Sequence, residues 1–144
     1  MRRKQRQEGP AIDASVGFAA NETGSGVAYA AVHDGGAVTL QRVPFRVKAH
    51  RGLSRREIGY AALAALARRL SERYAAMRFA IDDAALATDL SERRNVPPTL
   101  TIPYVALRCG LNRFDAATVV FAPSAETSDL SARALAEASL RVAA

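Results

Sequence analysis

The sequence predicts an α/β fold in which a mixed five-stranded sheet carries helices on its faces. Its first third consists of short apolar runs separated by glycine-rich turns, a pattern typical of an antiparallel three-stranded meander. The remainder alternates helical patterns with two more short apolar runs, which predicts two strands that join the sheet in parallel. The chain has 144 residues, 49% hydrophobic and 24% charged, so we expect one domain with a buried core.

The strands of the meander are predicted at residues 11–15, 27–33 and 38–47. The segment 18–26 between the first two contains an asparagine and two glycines, which indicates a turn. The Asp34-Gly35-Gly36 sequence is a strong hairpin signal between the second and third strands. Pro44 cannot donate a hydrogen bond to a neighbouring strand, so the third strand is expected at a sheet edge or with a bulge.

The remaining strands are predicted at residues 77–81 and 117–122, and the helices at 54–74, 83–93, 103–112 and 128–142. Ser54 lies three residues before Glu57, which is the spacing of a capping box at a helix start. Thr101 lies two residues before Pro103, so we expect Thr101 to cap the third helix.

Several classes of protein are disfavoured by the composition. No apolar run approaches the length needed to cross a bilayer, and the basic start of the chain is not followed by the apolar core of a secretory signal. Residues 1–9 are expected to form a disordered basic arm, and residues 10–144 a single domain. The only cysteine, Cys109, excludes an internal disulfide and favours a reducing compartment, so a cytoplasmic location is expected, with no obligate protein partner evident.

The charge balance indicates the kind of partner. The formal net charge is +6 at pH 7. A basic chain attracts polyanions because its cations neutralise phosphates and release counterions. We therefore expect a nucleic-acid partner and no membrane partner.

Four carboxylates stand where predicted elements begin or end. Asp13 and Asp82 each end an apolar run, Glu57 lies in the first turns of an amphipathic helix, and Asp129 opens the last helix. Carboxylates that converge repel one another unless a cation lies between them, and Mg²⁺ or Mn²⁺ prefers such oxygen ligands. Asp83 is an alternative to Asp82, but it is better interpreted as the cap of the following helix.

The motifs around these four residues resemble those of the type 1 ribonuclease H family over residues 10–142. The family's T-D-G-S at the end of its first strand is matched by Ile12-Asp13-Ala14-Ser15. Its helical N-x-R-A-E is matched by Ser54-Arg55-Arg56-Glu57, its T-D-S by Ile81-Asp82-Asp83, and its final N-x-x-A-D by the segment that ends at Ser128-Asp129.

This resemblance implies an endonuclease that hydrolyses the RNA strand of RNA/DNA hybrids with two Mg²⁺ ions, for which Mn²⁺ can substitute. Asp13 is expected to bridge both ions, Glu57 and Asp82 to hold the ion that faces the leaving group, and Asp129 to hold the other. The residues expected to contact the substrate are Ala14, Ser15, Asn21, Ser54, Arg55 and Arg56.

The chain departs from the family at several positions. Ala14 replaces the family's glycine, Leu53 and Ser54 replace its asparagines, and no histidine precedes Asp129 in the last loop. Two alternatives therefore stand beside the hybrid nuclease. One is a DNA nuclease of the same fold, such as a junction resolvase or an integrase-like enzyme; the other is a non-catalytic module that binds nucleic acid.

Overall fold

The structure is a computed structural model that describes residues 11–92 and 96–143, and for residues 141–143 only the backbone. The basic arm predicted at residues 1–9 lies outside the described residues. No helix among those described is long and apolar enough to cross a membrane.

Five strands and four helices follow one another in the predicted order. The strands are β1 (Ile12–Ala20), β2 (Ser25–Asp34), β3 (Ala37–Arg46), β4 (Ala76–Ile81) and β5 (Ala116–Phe121). The helices are α1 (Arg55–Leu70), α2 (Ala84–Glu92), α3 (Thr101–Leu111) and α4 (Ala125–Ala143), with a short 3-10 helix at Pro98–Leu100.

The strands form one sheet in the order β3-β2-β1-β4-β5. β1 pairs antiparallel with β2, and β2 with β3, whereas β4 runs parallel to β1 and to β5. The predicted fold class is confirmed, and β3 with its Pro44 lies at a sheet edge as expected. The hairpin between β2 and β3 turns at Gly35 and Gly36, whose positive φ values of 57° and 88° suit glycine.

The two faces of β1 pack against different helices. Ala14, Val16 and Phe18 belong to the larger core, which they share with buried residues of α1 and α3. The opposite face packs against α4, whose Leu130 and Ala134 form a smaller cluster with buried side chains of β2. The alternation follows from the period of two of a strand, which sends successive side chains to opposite faces.

Three boundaries differ from the prediction. β1 continues to Ala20, because apolar residues continue its alternation beyond Ser15. α4 begins at Ala125, because Ser124 and Thr127 cap its start reciprocally: Thr127 N donates to Ser124 Oγ at 3.2 Å, and Ser124 N donates to Thr127 Oγ1 at 2.9 Å. Thr101 is the first residue of α3 and makes no side-chain cap, because a 3-10 turn leads directly into the helix.

A buried carboxylate joins α1 to α2. Asp89 is 3% exposed, and its Oδ2 accepts hydrogen bonds from Arg56 Nε at 2.8 Å and from the Tyr60 hydroxyl at 2.6 Å. Burial and the neighbouring Asp89 raise the pKa of Tyr60 well above its ordinary value, so this hydroxyl stays protonated and donates.

Candidate functional site

Asp82 lies at the end of β4, where a metal ligand was predicted. It follows Ile81, the last residue of the strand. Ser15 of β1 pairs with Ala80 of β4, so continuing this parallel register by two residues brings Gly17 level with Asp82. The β1 position nearest to Asp82 in register is therefore a glycine.

Asp13 lies at a different level of the sheet. It pairs with Arg78, four residues before Asp82, which corresponds to roughly 13 Å along the strands at about 3.3 Å per residue. Its Oδ1 accepts a hydrogen bond from Arg78 Nε at 2.7 Å, and both side chains are more than half exposed. The expectation that Asp13 and Asp82 would converge is wrong, because β1 extends past Asp13 before it reaches the level of Asp82.

The space beside Gly17 is closed by α4. A Cβ atom at this position would lie 2.2 Å from the backbone nitrogen of Ser131 and 2.4 Å from the carbonyl carbon of Leu130. Backbone atoms of a helix packed against a sheet cannot retreat as a flexible side chain can. No side chain, and hence no carboxylate, fits at Gly17 while α4 keeps this position.

A cation of the protein itself lies beside Asp82. Arg55, the first residue of α1, donates from Nη2 to Asp82 Oδ1 at 2.8 Å. The same guanidinium lies 4.5 Å from the ring centroid of Phe18, and its Nη2 is 3.5 Å from Ser131 Oγ. Arg55 thus supplies the positive charge that a metal ion would otherwise supply to this carboxylate.

Glu57 occupies separate surroundings. The predicted cap is confirmed, because Glu57 N donates to Ser54 Oγ at 3.2 Å. Its carboxylate lies instead beside His50, with 2.7 Å between Nε2 of the histidine and Oε2. The hydrogen bond to Glu57, followed by that to the carbonyl of Arg51, raises the pKa of His50 above its ordinary value of 6.5.

Asp129 is exposed on α4. The helix contacts the sheet through Leu130 and Ala134, which share one side. At 3.6 residues per turn, Asp129 lies on the side of α4 that points away from the sheet. The prediction that Asp129 joins the other carboxylates is therefore wrong.

The four predicted carboxylates do not fit a two-metal centre. The part of the chain that the structure describes contains no group of three or more His, Cys, Asp or Glu side chains arranged to hold a metal ion. Three of the predicted ligands are each paired with a basic side chain: Asp13 with Arg78, Glu57 with His50 and Asp82 with Arg55. No hydrolytic step through bound Mg²⁺ can be derived from this arrangement.

The predicted substrate residues are also dispersed. Ala14 and Arg56 were expected to contact the substrate, but neither is available to it. Ala14 is 1% exposed in the core, and the Arg56 side chain is hydrogen-bonded to Asp89. Asn21 holds the β1–β2 turn, since its Oδ1 accepts from Thr23 N at 3.0 Å and from Ser25 N at 3.1 Å. Ser54 caps α1, and Arg55 alone of the six adjoins Asp82.

Ser15 belongs to a polar cluster that the sequence analysis missed. Glu126 accepts hydrogen bonds from Ser15 and from His33, whose Nε2 lies 2.7 Å from Oε1. These bonds, the one from Ser15 first, lower the pKa of Glu126. The alternation of side chains along β1 and β2 places Ser15 and His33 on the sheet face that packs against α4. The sequence alone does not reveal which residue of α4 lies opposite them, so it could not predict their contact with Glu126.

Asp83 caps α2 as predicted, because its Oδ1 accepts from Leu86 N at 3.0 Å. Cys109 is exposed on α3.

Two open grooves flank α1. The α1–α4 groove, of about 350 Å³, is lined chiefly by apolar residues, with Arg55, the partner of Asp82, at its wall. The α1–α3 groove, of about 310 Å³, lies between α1, α3 and the end of β3. Its cationic side chains are Arg46, Lys48 and Arg68.

The fold is that of ribonuclease H. RNase H1 from the halophilic archaeon Halobacterium salinarum superposes with a TM-score of 0.70 at 16% identity, covering 90% of this chain and 97% of that one. The N-terminal RNase H domain of a Mycobacterium tuberculosis protein gives 0.58 at 14% identity, covering 93% and 100%. LC11-RNase H1, solved in complex with an RNA/DNA hybrid, gives 0.60 at 13% identity, covering 88% and 98%.

No protein-family model and no curated protein sequence matches the chain. These three similarities are structural, and at sequence identities of 13–16% they establish a shared fold and nothing more. The resemblance inferred from the motifs is therefore confirmed as an RNase H-like fold over about nine tenths of the chain. A fold by itself does not determine a function.

Proposed function

We propose that this chain is a non-catalytic nucleic-acid-binding module with the RNase H fold. The main support for this proposal is the set of groups that surround Asp82. The neighbouring β1 position is Gly17, which α4 closes to any side chain, and the cation beside Asp82 is Arg55. A two-metal reaction requires several carboxylates that share ions, and this arrangement supplies one.

The proposal of nucleic acid as the partner rests on charge. The net charge of +6 favours a polyanion. Arg46, the last residue of β3, and Lys48 and Arg51 in the following loop are exposed, and Arg68 is exposed on the neighbouring helix α1. Cations on one side of a domain form the electrostatic footprint expected of a phosphate-binding surface.

The endonuclease acting on RNA/DNA hybrids, with Mg²⁺ or Mn²⁺, remains the second candidate. Two observations favour it: the likeness in fold to RNase H1 structures, and the position of Asp82 at the end of β4. It would require Asp13, Glu57 and Asp129 to leave their present surroundings and α4 to move away from Gly17.

Cleavage and binding assays on the same preparation test the proposal. Labelled RNA/DNA hybrid, duplex DNA and a four-way junction are incubated with Mg²⁺, with Mn²⁺ and with EDTA. We expect no metal-dependent product, together with nucleic-acid binding that weakens as salt rises.

Asp82→Asn is the matched control for catalysis. Metal-dependent cleavage of the hybrid that Asp82→Asn abolishes would contradict the proposal and restore the hybrid nuclease. Cleavage of the junction alone would favour the resolvase-like alternative. Absence of both cleavage and binding would refute nucleic acid as the partner.

A further inference from the structure

The α1–α3 groove combines an apolar floor with cations on two of its walls. The floor is formed by small or apolar residues of α1 and α3, among them Ala61, Ala64 and Ile102. Arg46 at the end of β3 and Lys48 two residues later lie on one wall, and Arg68 of α1 lies on another. No ion pair among the described residues uses these three cations.

The groove is elongated along α1. Its lining extends from Glu57 to Arg68, a span of about 16 Å at 1.5 Å per residue. Glu57 is the one acidic residue of the lining, and its carboxylate is bonded to His50. A volume of about 310 Å³ admits a few groups the size of a nucleobase, and a double helix cannot enter it.

Ile102 is 82% exposed although it is large and apolar. It lies at the border of the groove, and Ala106, one turn later on α3, also lines it. A surface that offers apolar contact between cations suits a ligand with apolar faces and a charged backbone. Unpaired nucleotides have this chemistry, because their bases are free to leave the stack.

We propose that the α1–α3 groove binds single-stranded nucleic acid, with phosphates between Arg46, Lys48 and Arg68 and with bases against the floor at Ile102. The inference rests on the proposed nucleic-acid binding and adds the strandedness of the ligand and the site that holds it. A duplex keeps its bases stacked inside, so it contacts the three cations but cannot reach the floor.

Fluorescence anisotropy with the full chain tests the strandedness. The probes are single-stranded DNA and RNA of about 12 nucleotides, within the range of site sizes known for single-strand binders, with the matched duplex and hybrid. We expect the single strands to bind about tenfold tighter than the duplex and the hybrid, because only their bases reach the floor. Equal or tighter binding of duplex or hybrid would overturn the inference and leave the proposed function standing.

Two pairs of variants locate the site. Arg68→Gln is compared with Arg69→Gln, because Arg69 is the adjacent exposed residue of α1 and does not line the groove. We expect Arg68→Gln alone to weaken single-strand binding several-fold and to make the salt dependence shallower by about 0.7 in the log–log slope. Equal effects of the two substitutions would exclude the groove as the site.

Ile102→Ser is compared with Val105→Ser, since Val105 is 52% exposed on the same helix and lies outside the lining. We expect Ile102→Ser to weaken binding several-fold with no change in salt slope, because an apolar contact releases no counterions. A circular dichroism melt of each variant verifies folding. Binding of an acidic amphipathic peptide at the groove in place of oligonucleotide would assign it to a protein partner and overturn the inference.

Discussion

Arg55 donates a hydrogen bond to Asp82 at 2.8 Å while its guanidinium stacks on Phe18 of β1. The pair joins the start of α1 to the end of β4, so it fixes the two elements at the edge where the sequence predicted a metal centre. The carboxylate is 22% exposed and already faces a cation.

Divalent metal is expected to leave the stability of the protein unchanged. Ligands that bind only the folded state raise the melting temperature, but the described carboxylates form no shared site for an ion. The measurement compares the melting temperature in millimolar MgCl₂ or MnCl₂ with that in NaCl of equal ionic strength. A metal-specific rise that Asp82→Asn removes would indicate a metal site at Asp82.

Gly17→Ala is expected to lower the free energy of unfolding by about 3 kcal/mol, because the added methyl collides with the backbone of α4. Gly110→Ala is the mild comparison, since its Cβ would lie 3.2 Å from the Cβ of Ala67 and 3.6 Å from the carbonyl oxygen of Ala64, and alanine favours a helix. Urea unfolding gives both values. A Gly17→Ala variant as stable as the parent would show that α4 can move away from β1.

The buried network around Asp89 is expected to contribute strongly to stability. Asp89→Ala leaves Arg56 and the buried Tyr60 hydroxyl without their acceptor, so the free energy of unfolding should fall by about 3–5 kcal/mol. Asp83→Ala removes only the cap of α2 and should cost about 1 kcal/mol. Similar losses in denaturant titrations of the two variants would contradict the importance of the network.

Stability should depend on His50 near neutral pH. Its pKa is raised in the folded state by Glu57, so its stabilising contribution is fully present below the unfolded pKa near 6.5 and disappears as pH rises through the folded pKa. His50→Gln should therefore flatten the stability profile in that interval. The variant and the parent are compared by urea unfolding across the interval, and parallel profiles would exclude the pair as the cause.

Glu126 should make stability depend on pH in the acidic range, in the direction opposite to His50: its contribution is lost as pH falls. Its pKa is lowered by Ser15 and then by His33, so its contribution is present above its ordinary pKa of 4.5 and is lost as pH falls through the lowered folded value. Glu126→Gln should reduce the loss of stability on acidification below pH 4.5. Ser15→Ala should act in the same direction, and no change in either acid profile would contradict this assignment.

The sequence by itself determined the order and type of the elements. Local signals suffice for these features: the Asp34-Gly35-Gly36 hairpin, the caps at Ser54 and Asp83, and Pro44 on an edge strand are each set by residues close together in the chain. The RNase H-like fold followed from that order and from the motifs.

Only the tertiary structure decided which residues lie together. The first strand was predicted to end at Ser15, whereas it continues to Ala20, and its register with β4 brings Gly17, four residues after Asp13, level with Asp82. Register depends on contacts between segments some 65 residues apart, and no local pattern encodes it. The pairing of Asp82 with Arg55 and the closure of Gly17 by α4 follow from the same long-range packing, which is why the carboxylates that the sequence grouped together lie apart in the fold.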